Sequence, residues 1–228
     1  PTGAGYTGDD LRALAKVISS LPNKDQITVV TDEVYEYITF DGFVHESIMT
    51  VAPELKANTL LVNAFSKAYS MTGWRVGYAV GPKHIIDAMN VHQSQFTSNV
   101  CSIAQYAAAR AYEDHYEFPK RMCAEFEKRM HMVWDLVAEM PGIKMSVKPI
   151  GAFYAFLELD GLVGKKKDGF VVNSGEDFCR YLLEQYDVVA VQGEAFGAEN
   201  AMRLSFALDP AQVKDGLERI ARAAESLK

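Results

Sequence analysis

The 228 residues are 49% hydrophobic and 23% charged, the composition of an ordinary globular chain, which excludes a disordered or low-complexity one. A net charge of −7 and a pI near 5.3 argue against a nucleic-acid surface, because phosphate binding needs clustered Lys and Arg. No apolar run approaches the ~18 residues of a membrane span, and three scattered cysteines without CxxC spacing point to reduced thiols in a cytoplasmic setting and to no zinc site.

The chain opens on Pro1-Thr2-Gly3 with no Met, basic n-region or apolar h-region, and the expectation is that it begins mid-protein. Thr7 caps a predicted helix, with Asp10 three residues on completing a variant capping box. Leu11, Leu14, Ala15, Val17 and Ile18 then form one apolar face, ended by Pro22 and Asn23. β-Branched runs predict strands at 27–31, 59–62 and 76–80, the first of them buried. Helices are predicted at 83–93, 101–113 and 117–140. The last repeats Phe118, Met122, Phe126, Met130, Val133 and Val137 on one side and stops at Pro141-Gly142.

The texture then changes. Strands at 144–148 and 153–159 lead into a Gly/Lys loop in which Lys165-Lys166-Lys167 reads as a solvated tip. A helix at 176–186, short strands at 188–191 and 202–207 and a helix over 210–227 complete a small α+β domain. The expected division is an α/β part over residues 1–118 and an α+β part over 119–228.

Two predicted strands end in chemistry-bearing residues. The first runs into Thr31-Asp32-Glu33-Val34-Tyr35, the second into Asn63-Ala64-Phe65-Ser66-Lys67. In open α/β sheets, ligands gather outside the carboxyl ends of strands, so an acid, a tyrosine and a lysine are directed toward one crevice. Alone, Asp32 reads as a turn residue, Lys67 as a surface charge and Arg203 as a strand-edge arginine. His45, His84, His92, His115 and His131 show neither metal spacing nor a neighbouring nucleophile, which leaves them structural or exposed.

The stretch Ser66-Lys67-Ala68-Tyr69-Ser70-Met71-Thr72-Gly73-Trp74-Arg75-Val76-Gly77-Tyr78 resembles the attachment-site signature of the class I aminotransferases that use pyridoxal 5'-phosphate (PLP) on fold type I. Pro1-Thr2-Gly3 resembles the end of that family's Asn-Pro-Thr-Gly element, and Asp32-Glu33-Val34-Tyr35 its Asp-Glu-x-Tyr segment. Gly151-Ala152-Phe153-Tyr154 and Met202-Arg203-Leu204-Ser205-Phe206-Ala207 resemble its two small-domain elements. The likeness covers essentially the whole chain in the family's order.

This resemblance implies the second half of a three-layer α/β/α large domain with a mostly parallel sheet, followed by the α+β small domain. The chain would be the C-terminal part of a longer protein, lacking the N-terminal half and leaving a strand edge open. Lys67 would hold PLP as a Schiff base and move a proton between substrate Cα and cofactor. Asp32 would face the pyridinium nitrogen, and Tyr35 would donate to the ring's phenolic oxygen. Arg75 would grip the phosphate with its planar fork, Ser66 adding a hydroxyl, while Arg203 would clamp the substrate α-carboxylate. Gly73 and Gly77 would allow close backbone approach, Trp74 reads as packing, and residues 94–99 resemble a segment near the dimer interface.

The activity implied is ping-pong transfer of an amino group from an amino acid to a 2-oxo acid by a homodimer with shared active sites. The texture is most similar to the prokaryotic-type aspartate aminotransferase branch, which implies aspartate and 2-oxoglutarate as the pair. A PLP-dependent lyase on the same fold and a non-catalytic effector or assembly module are the alternatives. Without the N-terminal half, this segment is expected to be weakly active or inactive.

Overall fold

Helix α1 (Gly8–Ser20) begins where Thr7 and Asp10 cap each other: the Asp10 N–H donates to Thr7 Oγ1 at 3.2 Å and the Thr7 N–H to Asp10 Oδ2 at 2.9 Å. Leu11, Ala15 and Ile18 pack with Ile48, Ala52 and Leu55 in a small core. Leu14 and Val17 are exposed, so the expected single apolar face is split, with only one side covered. This description comes from a computed structural model that covers residues 1–113 and 115–228. They form two compact units, Tyr6–Cys123 on one hand and Pro1–Gly5 with Ala124–Lys228 on the other.

In the first unit, β1 (Val29–Asp32) leads through the short α2 (Ile48–Val51) to β2 (Thr59–Ala64) and then β3 (Gly77–Val80). The sheet order is β1-β2-β3. β1 and β2 are parallel, from Val29 opposite Thr59 to Asp32 opposite Val62, and β2 and β3 are antiparallel, from Leu61 opposite Val80 to Ala64 opposite Gly77. The first strand starts two residues later than expected, because the Ile27 N–H closes a 3-10 turn onto the Lys24 carbonyl. Nor is it buried: β1 lies at the sheet edge and Val30 is 62% exposed. Helices α3 (Lys83–Phe96), α4 (Ser102–Tyr112) and α5 (Glu117–Ala138) follow, and the division between units falls inside α5.

The second unit holds β4 (Tyr154–Glu158), the small hairpin β5 (Lys166–Lys167) and β6 (Phe170–Val171), α6 (Gly175–Tyr186), β7 (Val191–Gln192), β8 (Ala201–Ser205) and α7 (Pro210–Ser226). Its main sheet is antiparallel in the order β4-β8-β7. Burial alternates along β4: Ala155 and Leu157 face a core shared with Met202, Phe178, Leu182 and Ile220, while Tyr154 and Phe156 point to the other, half-exposed face. The strand expected at 144–148 is reduced to one bridge, Lys144 to Glu158. The predicted Gly/Lys loop instead folds as the hairpin, turning at Asp168 and Gly169, both of positive φ. Among the described residues no helix is long and apolar enough to cross a membrane.

Candidate active site

Parallel pairing of β1 with β2 delivers their carboxyl ends side by side, and every strand-end residue singled out from the sequence lies there. Asp32 is the last residue of β1 and is exposed, its Oδ1 accepting from the Val34 N–H at 3.2 Å. The ladder continues one residue further through the Glu33 N–H to the Val62 carbonyl at 2.9 Å. Two successive turns follow, Glu36 N–H to Glu33 carbonyl and Ile38 N–H to Tyr35 carbonyl, and they carry Tyr35 back over the strand ends. Ile38 and Phe40, both buried, anchor the far side of this loop.

Lys67 stands in the turn directly after β2, half-buried, with its Nζ 5.9 Å from the centroid of the Tyr35 ring. The turn is seated on an aromatic core. Phe65 and Tyr69 flank Lys67 and pack with Met71, Val76, Ala104 and Ala108, and Tyr112 meets Phe65 edge-on at 4.8 Å. Burial raises the phenol pKa values of Tyr37, Tyr78 and Tyr112, keeping these groups neutral beneath the turn. Ser66 is half-buried beside Lys67.

Arg75 follows the 3-10 turn Thr72–Trp74 with φ at 53°, a left-handed conformation that is an outlier for a long side chain. It is exposed, and its Nη1 donates to the Thr72 carbonyl at 3.0 Å. Among the described residues Arg75 has no carboxylate partner and Asp32 no cationic one, so two opposite charges stand uncompensated near the strand ends. Of the two glycines, Gly77 is the one that backbone contact requires: a Cβ there would lie 2.7 Å from the Asn63 carbonyl oxygen, whereas one at Gly73 would meet open space. Trp74, expected to pack in the core or at an interface, is 46% exposed in this segment and so is not a core residue of it.

Sequence reasoning missed a polar network behind Asp32. Glu33, 5% exposed, accepts from Ser47 Oγ at 2.7 Å and Thr31 Oγ1 at 3.1 Å, and its other oxygen lies 3.2 Å from His45 Nε2. Glu36 accepts from Asn63 Nδ2 at 2.5 Å, and burial raises its pKa. His45, expected to be merely structural or exposed, is thus an ionic partner in the loop that carries Asp32 and Tyr35. No local sequence signal could have found a pair twelve residues apart.

Arg203 belongs to the other unit. It lies in the middle of β8, opposite Phe156 and Val191, half-buried and with no carboxylate partner among the described residues. Its guanidinium carbon is 4.3 Å from the Tyr154 ring centroid and 4.5 Å from that of Phe196.

Residues 1–220 match the family described as aminotransferase class I and II. The chain is 41% identical over 228 residues to a probable aspartate/prephenate aminotransferase of Rickettsia bellii, covering all of this chain and 56% of that protein. It is also 41% identical over 229 residues to an aspartate aminotransferase of Geobacillus stearothermophilus, covering 99% of this chain and 55% of the relative. The crystal structure of the aspartate aminotransferase from Rhizobium meliloti superposes with a TM-score of 0.94 at 40% identity, over 100% of this chain and 56% of that one. The chain therefore spans slightly more than half the length of the relatives it matches, and it belongs to the class I and II aminotransferase family.

Proposed function

We propose that this chain is the C-terminal part of a PLP-dependent aminotransferase that takes the amino group of aspartate and passes it to 2-oxoglutarate. The observation that carries the reading is the placement of Lys67 in the turn after β2, its Nζ 5.9 Å from the centroid of the Tyr35 ring, with the exposed Asp32 ending the neighbouring parallel strand. The residue types fit the cofactor. An uncompensated carboxylate suits a protonated ring nitrogen, an uncompensated guanidinium suits a phosphate, and the Lys67 amine suits an aldehyde. Bound PLP supplies an electron sink for the bond at substrate Cα.

The chain's own residues do the rest. Lys67 would hold the cofactor, and its amine would take the substrate Cα proton and return it. Asp32 would keep the ring nitrogen protonated, Tyr35 would donate to the phenolic oxygen, and Arg75 with Ser66 would hold the phosphate. Arg203 binds the α-carboxylate, which selects amino acids and 2-oxo acids as a class. The aspartate names of the relatives at 40–41% identity support the donor, and the Rickettsia name adds prephenate as a second acceptor. A cytoplasmic homodimer completes the reading. Trp74, Phe96, Ile103 and Tyr106 are exposed, the first and third on an open groove of about 770 Å³ that also borders Arg75, apolar surface suited to contact with the rest of the protein or with a second subunit.

The test is a half-reaction in the full-length protein. Its PLP-loaded form is mixed with aspartate, alanine or phenylalanine, and the visible spectrum and the 2-oxo acid are followed. Bleaching with release of oxaloacetate is the expected result. Release of ammonia or a cleaved side chain instead would make it a lyase, and no spectral response to any amino acid would overturn the enzymatic reading.

A further inference from the structure

Arg203 is oriented by aromatic rings where an acid would be the ordinary partner. A carboxylate fixes a guanidinium plane but occupies its N–H donors, whereas ring faces fix the plane and leave the donor edge open. The sheet explains the placement. Arg203 is opposite Phe156 in the β4–β8 pairing, and Tyr154 lies two residues along the same face, at the diagonal position that long side chains span. Phe156 in turn meets Phe196 edge-on at 6.0 Å.

Phe196 ends the turn Gly193–Phe196 that follows β7, and this turn is pinned from two sides. A Cβ at Gly193 would stand 2.3 Å from the Ala198 carbonyl oxygen, so the backbone there is closely packed. Glu194 Oε1 accepts the Glu176 N–H at 3.2 Å and ties the turn to the start of α6. The ring over Arg203 is therefore presented from a braced element, not from a loose loop.

We infer that Tyr154 and Phe196 are positioning residues for Arg203, holding its guanidinium so that the N–H edge is presented to a substrate carboxylate. The inference rests on the reading of Arg203 as the carboxylate site. Phe196 has no polar atom, so it acts only through Arg203. Without the ring faces the cation remains, but its rotamers are free and must be ordered when the carboxylate binds.

Calorimetric titration of the full-length protein with succinate, a dicarboxylate without an amino group to transfer, separates the possibilities. Phe196→Leu and Tyr154→Leu keep apolar bulk but lose the ring face; each is expected to weaken succinate roughly three- to tenfold. The KM for aspartate should rise by the same factor with little change in kcat, and Phe196→Tyr should restore the affinity. Arg203→Gln should weaken succinate roughly thirtyfold or more. Wild-type succinate affinity in both leucine variants, with Arg203→Gln impaired, would overturn the positioning role alone. Unchanged affinity in Arg203→Gln would overturn the carboxylate site itself. A melting temperature recorded for each variant identifies any loss that comes from unfolding, and the second leucine variant then decides.

Discussion

The Glu33 carboxylate and the His45 ring lie 3.2 Å apart, and each moves the other toward its charged form. For His45 the hydrogen bond it donates to Glu33 raises the pKa against the opposing effect of burial. For Glu33 burial alone would raise the pKa, but the hydrogen bonds from His45, Ser47 and Thr31 outweigh it and the value is lowered. The loop between these partners carries Tyr35.

A pH dependence of stability follows. The raised His45 value contributes stability that is complete below the ordinary 6.5 and is lost as pH rises through the folded value. The lowered Glu33 value contributes stability that is complete above the ordinary 4.5 and is lost as pH falls through the folded value. The pair is therefore fully effective between those two ordinary values. His45→Gln should cost about 2 kcal/mol there and progressively less on either side. Denaturant titrations of both proteins from acid to mildly alkaline pH check this, and a pH-independent difference contradicts it.

Arg75 is predicted to trade fold strain for cofactor binding. Its φ of 53° is unfavourable for a long side chain but costs a glycine nothing. Relief of that strain in Arg75→Gly offsets the added entropy of the unfolded chain, so folding stability should change by less than about 1 kcal/mol. PLP affinity should fall roughly tenfold or more, and Arg75→Lys should not recover it, because a point charge lacks the two-pronged fork. An absorbance titration with PLP beside a urea melt measures both quantities. Unchanged PLP affinity would remove Arg75 from the phosphate site.

The two glycines of the Lys67 segment should respond differently to the same substitution. Gly77→Ala places a methyl 2.7 Å from the Asn63 carbonyl oxygen and 3.1 Å from Ala64 Cβ, and should cost about 1–3 kcal/mol as β2 and β3 are forced apart. Gly73→Ala meets nothing within 4 Å and should stay within about 0.5 kcal/mol of the parent. Thermal melts of the pair decide the matter, and equal costs would contradict the close β2–β3 contact.

What could be read from the sequence was local. Thr7 and Asp10 are three residues apart, and their reciprocal caps form as the spacing predicts. Lys67 and the residues up to Tyr78 carry a long, mixed signature whose family assignment needs no knowledge of contacts. What could not be read depends on distant partners. Residues 144–148 read as a strand, yet only Lys144 finds a pairing residue, because a strand needs a partner along its length and not only a suitable sequence. Val30 was expected inside and is exposed here because β1 is the outer strand of the three this segment holds, the open edge that the resemblance implied. Glu33 with His45, and Phe196 with Arg203, meet through turns that bring separate elements together, so neither pair leaves a periodic trace.

The central claim is that Lys67 is the residue that holds the cofactor, and covalent trapping tests it most directly. The full-length protein would be incubated with PLP, reduced with borohydride, digested and mapped by mass spectrometry. A single stoichiometric pyridoxyl-phosphate label is expected on the peptide that contains Lys67, absent from Lys67→Ala and lost on prior incubation with excess aspartate. A label scattered over surface lysines, or one retained in Lys67→Ala, would contradict it.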